Sequence, residues 1–152
     1  MDTVPDLQTA DLAKLRQLLI LHEGIRLRPY TDTVGKLTIG VGRNLTDRGI
    51  TLAEAMLLLD TDLDECLRWL RATFPWWADL SPARQAALVD LRFNLGGAGL
   101  LKFKRFLAAM EAGDYGRAAE ALRASRWARQ VKTRAPRVIR IVETGEWPDG
   151  LA

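Results

Sequence analysis

"LHEGIRLRPYTDTVGKLTIGVGRNLTDRG", residues 21–49, is where a helical pattern gives way to a short run of strand and turn residues. Upstream, Leu12, Leu15, Leu18 and Leu19 recur at the spacing of one helix face, and Gly24 follows Glu23 where a C-terminal cap belongs. The first helix is therefore predicted to end at Glu23. Between Tyr30 and Asn44, "TDTVGK" and "GVGRN" supply turn chemistry around the β-prone "LTIGV", which predicts a small antiparallel hairpin or meander.

Beyond this patch the chain reads as helices. Thr51 and Glu54 form a capping box that opens a long helix with Leu59, Leu63, Cys66, Leu70 and Phe74 on one face. Ser81 and Pro82 read as N-cap and first residue of the apolar "ARQAALVDLRFNL", expected to be a central buried helix that stops at Gly96-Gly97. Shorter helical patterns follow at about 100–111, 115–124 and 134–142, with no repeat, low-complexity tract or flexible linker. The fold class expected is α+β, mostly helical, with the β-element confined to the N-terminal third. One domain over 1–152 is expected, with a small β-containing lobe at about 24–60. A helical lobe comprises about 61–152 together with the N-terminal helix 9–23, and the long helix joins the two.

Composition sets outer limits. A chain of 152 residues, 48% hydrophobic, is long enough to bury a real core. Charged residues make up 27% and are scattered, which excludes a long disordered tract. The net charge of +3 is a mild bias towards anionic partners, among them nucleic acid, membrane headgroups and bacterial cell wall. Cys66 is the only cysteine, so no intrachain disulfide forms and no cysteine-based metal site is available; it reads as a small buried apolar residue. "MDTVPDLQTADLAKLRQ" lacks a basic segment followed by an apolar core, and no stretch approaches about 18 uninterrupted apolar residues. A soluble, monomeric product made in the cytoplasm is expected, without stable membrane association.

Glu23 and Asp32 stand nine positions apart, one at a helix end and one in a turn, so a chain reversal can set them across a cleft. Glycosidic bond cleavage requires two carboxyl groups so placed. One keeps a proton for the leaving oxygen, and the other stays ionised to activate water or stabilise a cationic transition state. A helix-end glutamate among apolar residues suits the first task, and a turn aspartate near backbone N–H groups suits the second. Thr38, six residues past Asp32, offers a hydroxyl to hold the attacking water. Spacing alone leaves open that both acids are solvated surface groups.

The residues around them carry a resemblance. Glu23-Gly24, Tyr30, Asp32-Thr33, Gly35 and Thr38-Ile39-Gly40-Val41-Gly42 resemble the catalytic signature of the phage-type lysozymes, the endolysin family. "ALVDLRFNLG" resembles that family's central helix, and "SRWARQVKTRAPRVIRIVETGEW" its C-terminal segment, so the likeness runs from about Leu12 to Trp147 in order. It implies a muramidase acting on peptidoglycan glycan strands, with Glu23 as general acid, Asp32 helping to activate water, Thr38 positioning that water, and inversion at the anomeric carbon. It implies that Arg134 pairs with the glutamate, that Phe93, Asn94 and Gly42 line or support the sugar site, and that no metal or organic cofactor is needed. It also implies release to the periplasmic wall through a phage-encoded membrane hole.

Departures bear on the same sites. The T-even branch of the family carries a longer insert where this chain runs directly through "NLTDRGITLAEA", so the lower lip of the cleft is expected to be shorter. That branch has a histidine at the position of Arg43, paired with an aspartate matching Asp62; a structural Arg43–Asp62 ion pair is expected here.

Other residues invite bland readings. His22, the only histidine, neighbours Glu23 but reads as a surface group, and "GVGRNL" lacks the rest of a phosphate-binding loop. Trp127 and Trp147 read as packing residues, and Trp76-Trp77 stay open between packing and sugar stacking. The basic stretch Arg123 to Arg140 has a buried side in Val131, Val138 and Ile141, so anionic peptidoglycan accounts for it without nucleic acid. Two rivals remain: a lytic transglycosylase, which needs only the acid, and a basic nucleic-acid-binding helical module.

Overall fold

A computed structural model describes residues 7–151. Residues 1–6, part of the stretch read for an export signal, lie outside the described residues. The chain divides into two compact units, Met1–Met56 and Leu57–Ala152.

The first unit holds α1 (Thr9–Glu23), β1 (Arg26–Thr31), β2 (Leu37–Gly40), β3 (Arg43–Asn44) and the start of α2 (Leu52–Thr73). α1 ends at Glu23 as expected, because Gly24 takes φ 74° and returns its N–H to the Ile20 carbonyl at 2.7 Å. The three strands form an antiparallel sheet in chain order, with Thr38 of the central strand facing Tyr30 on one side and Asn44 on the other. β1 begins earlier than the turn signals suggested. Its register shifts between Arg26 and Tyr30, around Pro29, which has no N–H to give to a ladder.

In the second unit α2 leads through a 3₁₀ turn at Trp77–Asp79 into α3 (Pro82–Leu101), α4 (Lys104–Glu111), α5 (Tyr115–Arg123), α6 (Arg126–Gln130) and α7 (Arg134–Thr144). Ser81 caps α3 as predicted, accepting from Arg84 N–H at 3.3 Å. The first helical segment of α3 stops at Gly96 as expected: at φ 74° and ψ 168° the residue leaves helical geometry, and a second helical stretch follows it to Leu101. α6 is a further difference, a short helix capped by Ser125 that the apolar periodicity did not reveal.

The second unit carries the core. Leu70, Leu88, Leu91, Leu100, Phe106, Met110, Leu122 and Val142 are fully buried, each from the apolar face of its helix. Cys66 joins the buried residues as a free thiol, and burial pushes its pKa up. Trp77 and Trp127 are buried, whereas Trp76 is half-buried and stacks on Phe74 with ring centroids 4.7 Å apart. Trp147 departs from the packing expectation: it is 56% exposed, just past the C-terminal end of α7. That end is tied down by Arg84, whose Nε donates to Val142 O at 2.8 Å and Nη2 to Glu143 O at 3.1 Å, with the guanidinium 3.5 Å from the centre of the Tyr115 ring.

Candidate functional site

Asp32 sits at the entry to the β1–β2 turn. Its Oδ1 accepts from Val34 N–H at 2.9 Å and Lys36 N–H at 2.8 Å, the local bonding that short carboxylates make in turns. Its own N–H donates to Lys36 O at 2.9 Å, and its carbonyl accepts from Gly35 at 3.1 Å, where φ is 83°. One carboxylate oxygen is thus spent on holding the turn. Among the described residues Oδ2 has no hydrogen-bond partner, so it remains available to another molecule.

Thr38 is anchored to the same peptide. Its Oγ1 donates to Lys36 O at 3.0 Å, and the side chain is 3% exposed. With its proton committed, the hydroxyl keeps lone pairs that accept from a water. Lys36 therefore sets both groups, giving its N–H to Asp32 and its carbonyl to Thr38.

Glu23 lies at the last turn of α1, and its carboxylate rests on the β2–β3 turn. A Cβ placed on Gly42 would be 2.9 Å from Glu23 Oε2 and 3.2 Å from its Cδ. Gly42 has φ 66°, so glycine answers both the backbone conformation and the close approach. The side chain of Glu23 is exposed, unlike the apolar setting anticipated for it.

Arg43, the next residue, is engaged differently from the expectation. Nη1 and Nη2 donate to Glu54 Oε2 and Oε1, each at 2.8 Å; Glu54, not Asp62, takes both terminal nitrogens. Glu54 lies in the first turn of α2, eight residues before the Asp62 that the resemblance implied. The hydrogen bond from Arg43, joined by Thr51 N–H, holds the Glu54 carboxyl below the usual glutamate range and raises Arg43 in return. Glu54 is also the capping residue expected from the sequence: its N–H is capped by Thr51 Oγ1 at 3.1 Å.

The second unit places the other expected residues. Phe93 and Arg134 line a groove of about 260 Å³ with Leu59, Leu63, Val89 and Asp90. Within this unit Arg134 Nε donates to Asp90 Oδ1 at 2.7 Å. Asn94 accepts from Trp127 Nε1 at 2.8 Å, so its oxygen holds a buried indole. Asp90 was missed because, on an otherwise apolar helix, an acid three residues before Phe93 has no distinguishing spacing. Among the described residues no group of three or more His, Cys, Asp or Glu side chains could hold a metal ion.

A helix-end glutamate on a glycine turn, with an aspartate and a threonine set by one hairpin peptide, puts into one unit two carboxyl groups and a hydroxyl, the residue types that glycoside hydrolysis uses. Comparison with known proteins agrees. The phage lysozyme family model matches residues 21–140, and the chain belongs to that family of peptidoglycan-lytic glycoside hydrolases. It is 35% identical over 159 residues to the pre-baseplate central spike protein Gp5 of Enterobacteria phage T4, covering 86% of this chain but 28% of that relative. It is 26% identical to probable T4-type lysozyme 1 of Dictyostelium discoideum, across 88% of this chain and 96% of the other. With the SAR-endolysin of Escherichia phage Mu it shares 35% identity over 115 residues, covering 74% of this chain and 64% of the endolysin. Among the described residues no helix is long and apolar enough to cross a membrane.

Proposed function

We propose that the chain is a muramidase that hydrolyses the β-1,4 bond between N-acetylmuramic acid and N-acetylglucosamine in peptidoglycan, with inversion. The observation that carries this reading is the shared anchoring of Asp32 and Thr38 on the Lys36 peptide, in the same unit whose Gly42 turn supports the Glu23 carboxyl. Glu23 gives its proton to the glycosidic oxygen as the bond to the anomeric carbon breaks. Asp32 Oδ2 takes one proton from a water whose other hydrogen is accepted by Thr38 Oγ1. The water oxygen bonds to the anomeric carbon on the face opposite the leaving group, and the new reducing end is α. Phe93 and Asn94 are assigned to sugar contacts and Arg134 to support of the catalytic glutamate, with no metal or organic cofactor in the chemistry.

In a phage setting the enzyme is made in the host cytoplasm, reaches the periplasmic wall through a phage-encoded membrane hole and lyses the cell. The likeness to a central spike protein also fits this catalytic chain serving as part of a longer protein.

The test uses purified protein on chloroform-treated Gram-negative cells and on wall glycan. Glu23→Gln keeps shape and hydrogen bonding but removes the transferable proton; it is expected to bind wall and not cut it. Asp32→Asn retains an oxygen for the Val34 and Lys36 N–H groups, so it folds and loses about 10²–10⁴ in rate, the range for a general base. Thr38→Ala falls between these variants and wild type. Early-time NMR is expected to show an α product. A β product sinks the water-positioning role, anhydro-muramic ends make the protein a transglycosylase, and near-normal lysis by Glu23→Gln defeats both.

A further inference from the structure

The guanidinium of Arg43 is held within one loop. Both terminal nitrogens engage Glu54, and Nη1 also donates to Gly49 O at 3.2 Å. Glu54 Oε2 accepts in addition from Thr51 N–H at 3.2 Å, so the acid belongs to the first turn of α2 and to the β3 strand together. A two-pronged arginine–carboxylate contact fixes orientation as well as distance. Arg43 is fixed from its other side by pairing with Ile39 of β2. The residue before it is Gly42, on whose bare Cα the Glu23 carboxylate rests.

We infer that Glu54, acting through Arg43, is a positioning residue for the carboxyl of Glu23. The inference rests on the reading of Glu23 as the general acid. The contacts run without a gap from α2 to Glu54, Arg43, Gly42 and the Glu23 carboxylate. Glu54 spends its hydrogen-bonding on Arg43 and Thr51 and contributes geometry rather than a proton. Without the fork, the Val41–Gly42 turn is held by the sheet alone, and the surface under Glu23 loses its fixed height. Rate is sensitive to such displacements, about 1 Å costing as much as 10²-fold.

The decisive variant is Glu54→Gln, which preserves length and a capping oxygen but turns one acceptor of the fork into a donor. On soluble wall-glycan fragments kcat is expected to fall roughly tenfold with KM within about twofold of wild type. Arg43→Lys is expected to do the same, and the double variant to be no slower than the slower single one, because both remove one contact. A merely structural pair lowers the thermal midpoint and leaves kcat unchanged well below it; wild-type kcat in Glu54→Gln overturns the inference. A second measurement stands apart from turnover. In the NMR spectrum of the full chain, the Gly42 amide and the Glu23 side-chain carboxyl carbon are expected to shift or broaden together in Glu54→Gln. Unmoved resonances overturn the inference even in a protein that cuts no glycan. Failure of the glycosidase reading is seen separately, in the wild type and Glu23→Gln.

Discussion

At Gly42 a single hydrogen stands where any other residue would push a methyl group into the Glu23 carboxylate. Gly42→Ala forces a choice between a backbone at φ 66° and a side chain 2.9 Å from Glu23 Oε2. The flexible carboxylate yields first, so the expected outcome is a folded protein, less stable by about 1–2 kcal/mol from the left-handed backbone. Its rate of wall lysis is expected to be reduced at least roughly tenfold. Chemical denaturation and turbidity assays on the same preparation check it, and full activity would show that Gly42 does not support the acid. Thr38→Ala tests the other side of the hairpin. The Lys36 carbonyl keeps the Asp32 N–H when the hydroxyl is removed, so the stability cost is about 1 kcal/mol, set by one lost hydrogen bond.

Between elements, two arginines hold distant parts of the chain. Arg84 of α3 caps the last carbonyls of α7, and a Cβ at Gly145 would lie 2.7 Å from its Nη1. Arg84→Ala is expected to lower stability by about 1.5–3 kcal/mol, the range for hydrogen bonds from a charged donor, measured by urea unfolding. The Arg43–Glu54 pair makes a prediction in pH. The folded carboxyl of Glu54 lies below its unfolded value, so its contribution is complete above the ordinary glutamate pKa of about 4.3 and is lost as pH falls through the folded value. The thermal midpoints of wild type and Glu54→Gln are therefore expected to differ at pH 6 and to converge in acid. A difference that persists unchanged to about pH 2 would show that charge is not what the pair contributes.

At the scale of the molecule, the fully buried large side chains among the described residues all belong to the second unit, while the described part of the first unit buries Thr38 and little else. Local stability follows buried apolar contact, so amides of α3, α5 and α7 are expected to exchange slowest and those of the three strands faster. Leu91→Ala, at a site with no exposure, is expected to cost about 2–5 kcal/mol through the cavity it leaves. Hydrogen exchange as slow in β2 as in α3 would overturn this division of stability.

The end of α1 at Glu23, the capping box at Thr51, the N-cap at Ser81, the hairpin around Asp32 and the apolar faces of the core helices were all readable from residue spacing. Each rests on short-range chemistry: a glycine that accepts positive φ, a hydroxyl that accepts the nearest N–H, a periodicity that matches one face. What spacing did not convey were partners remote in sequence or unmarked by pattern. Glu54 instead of Asp62 for Arg43, Asp90 for Arg134, Asn94 for Trp127 and Arg84 for the end of α7 depend on which side chains three-dimensional packing brings within about 3 Å. Local chemistry wrote the elements and the hairpin's carboxylate into the sequence. The supports of the site came from the fold, because a charge on a helix has several acids in reach and only the folded backbone selects one.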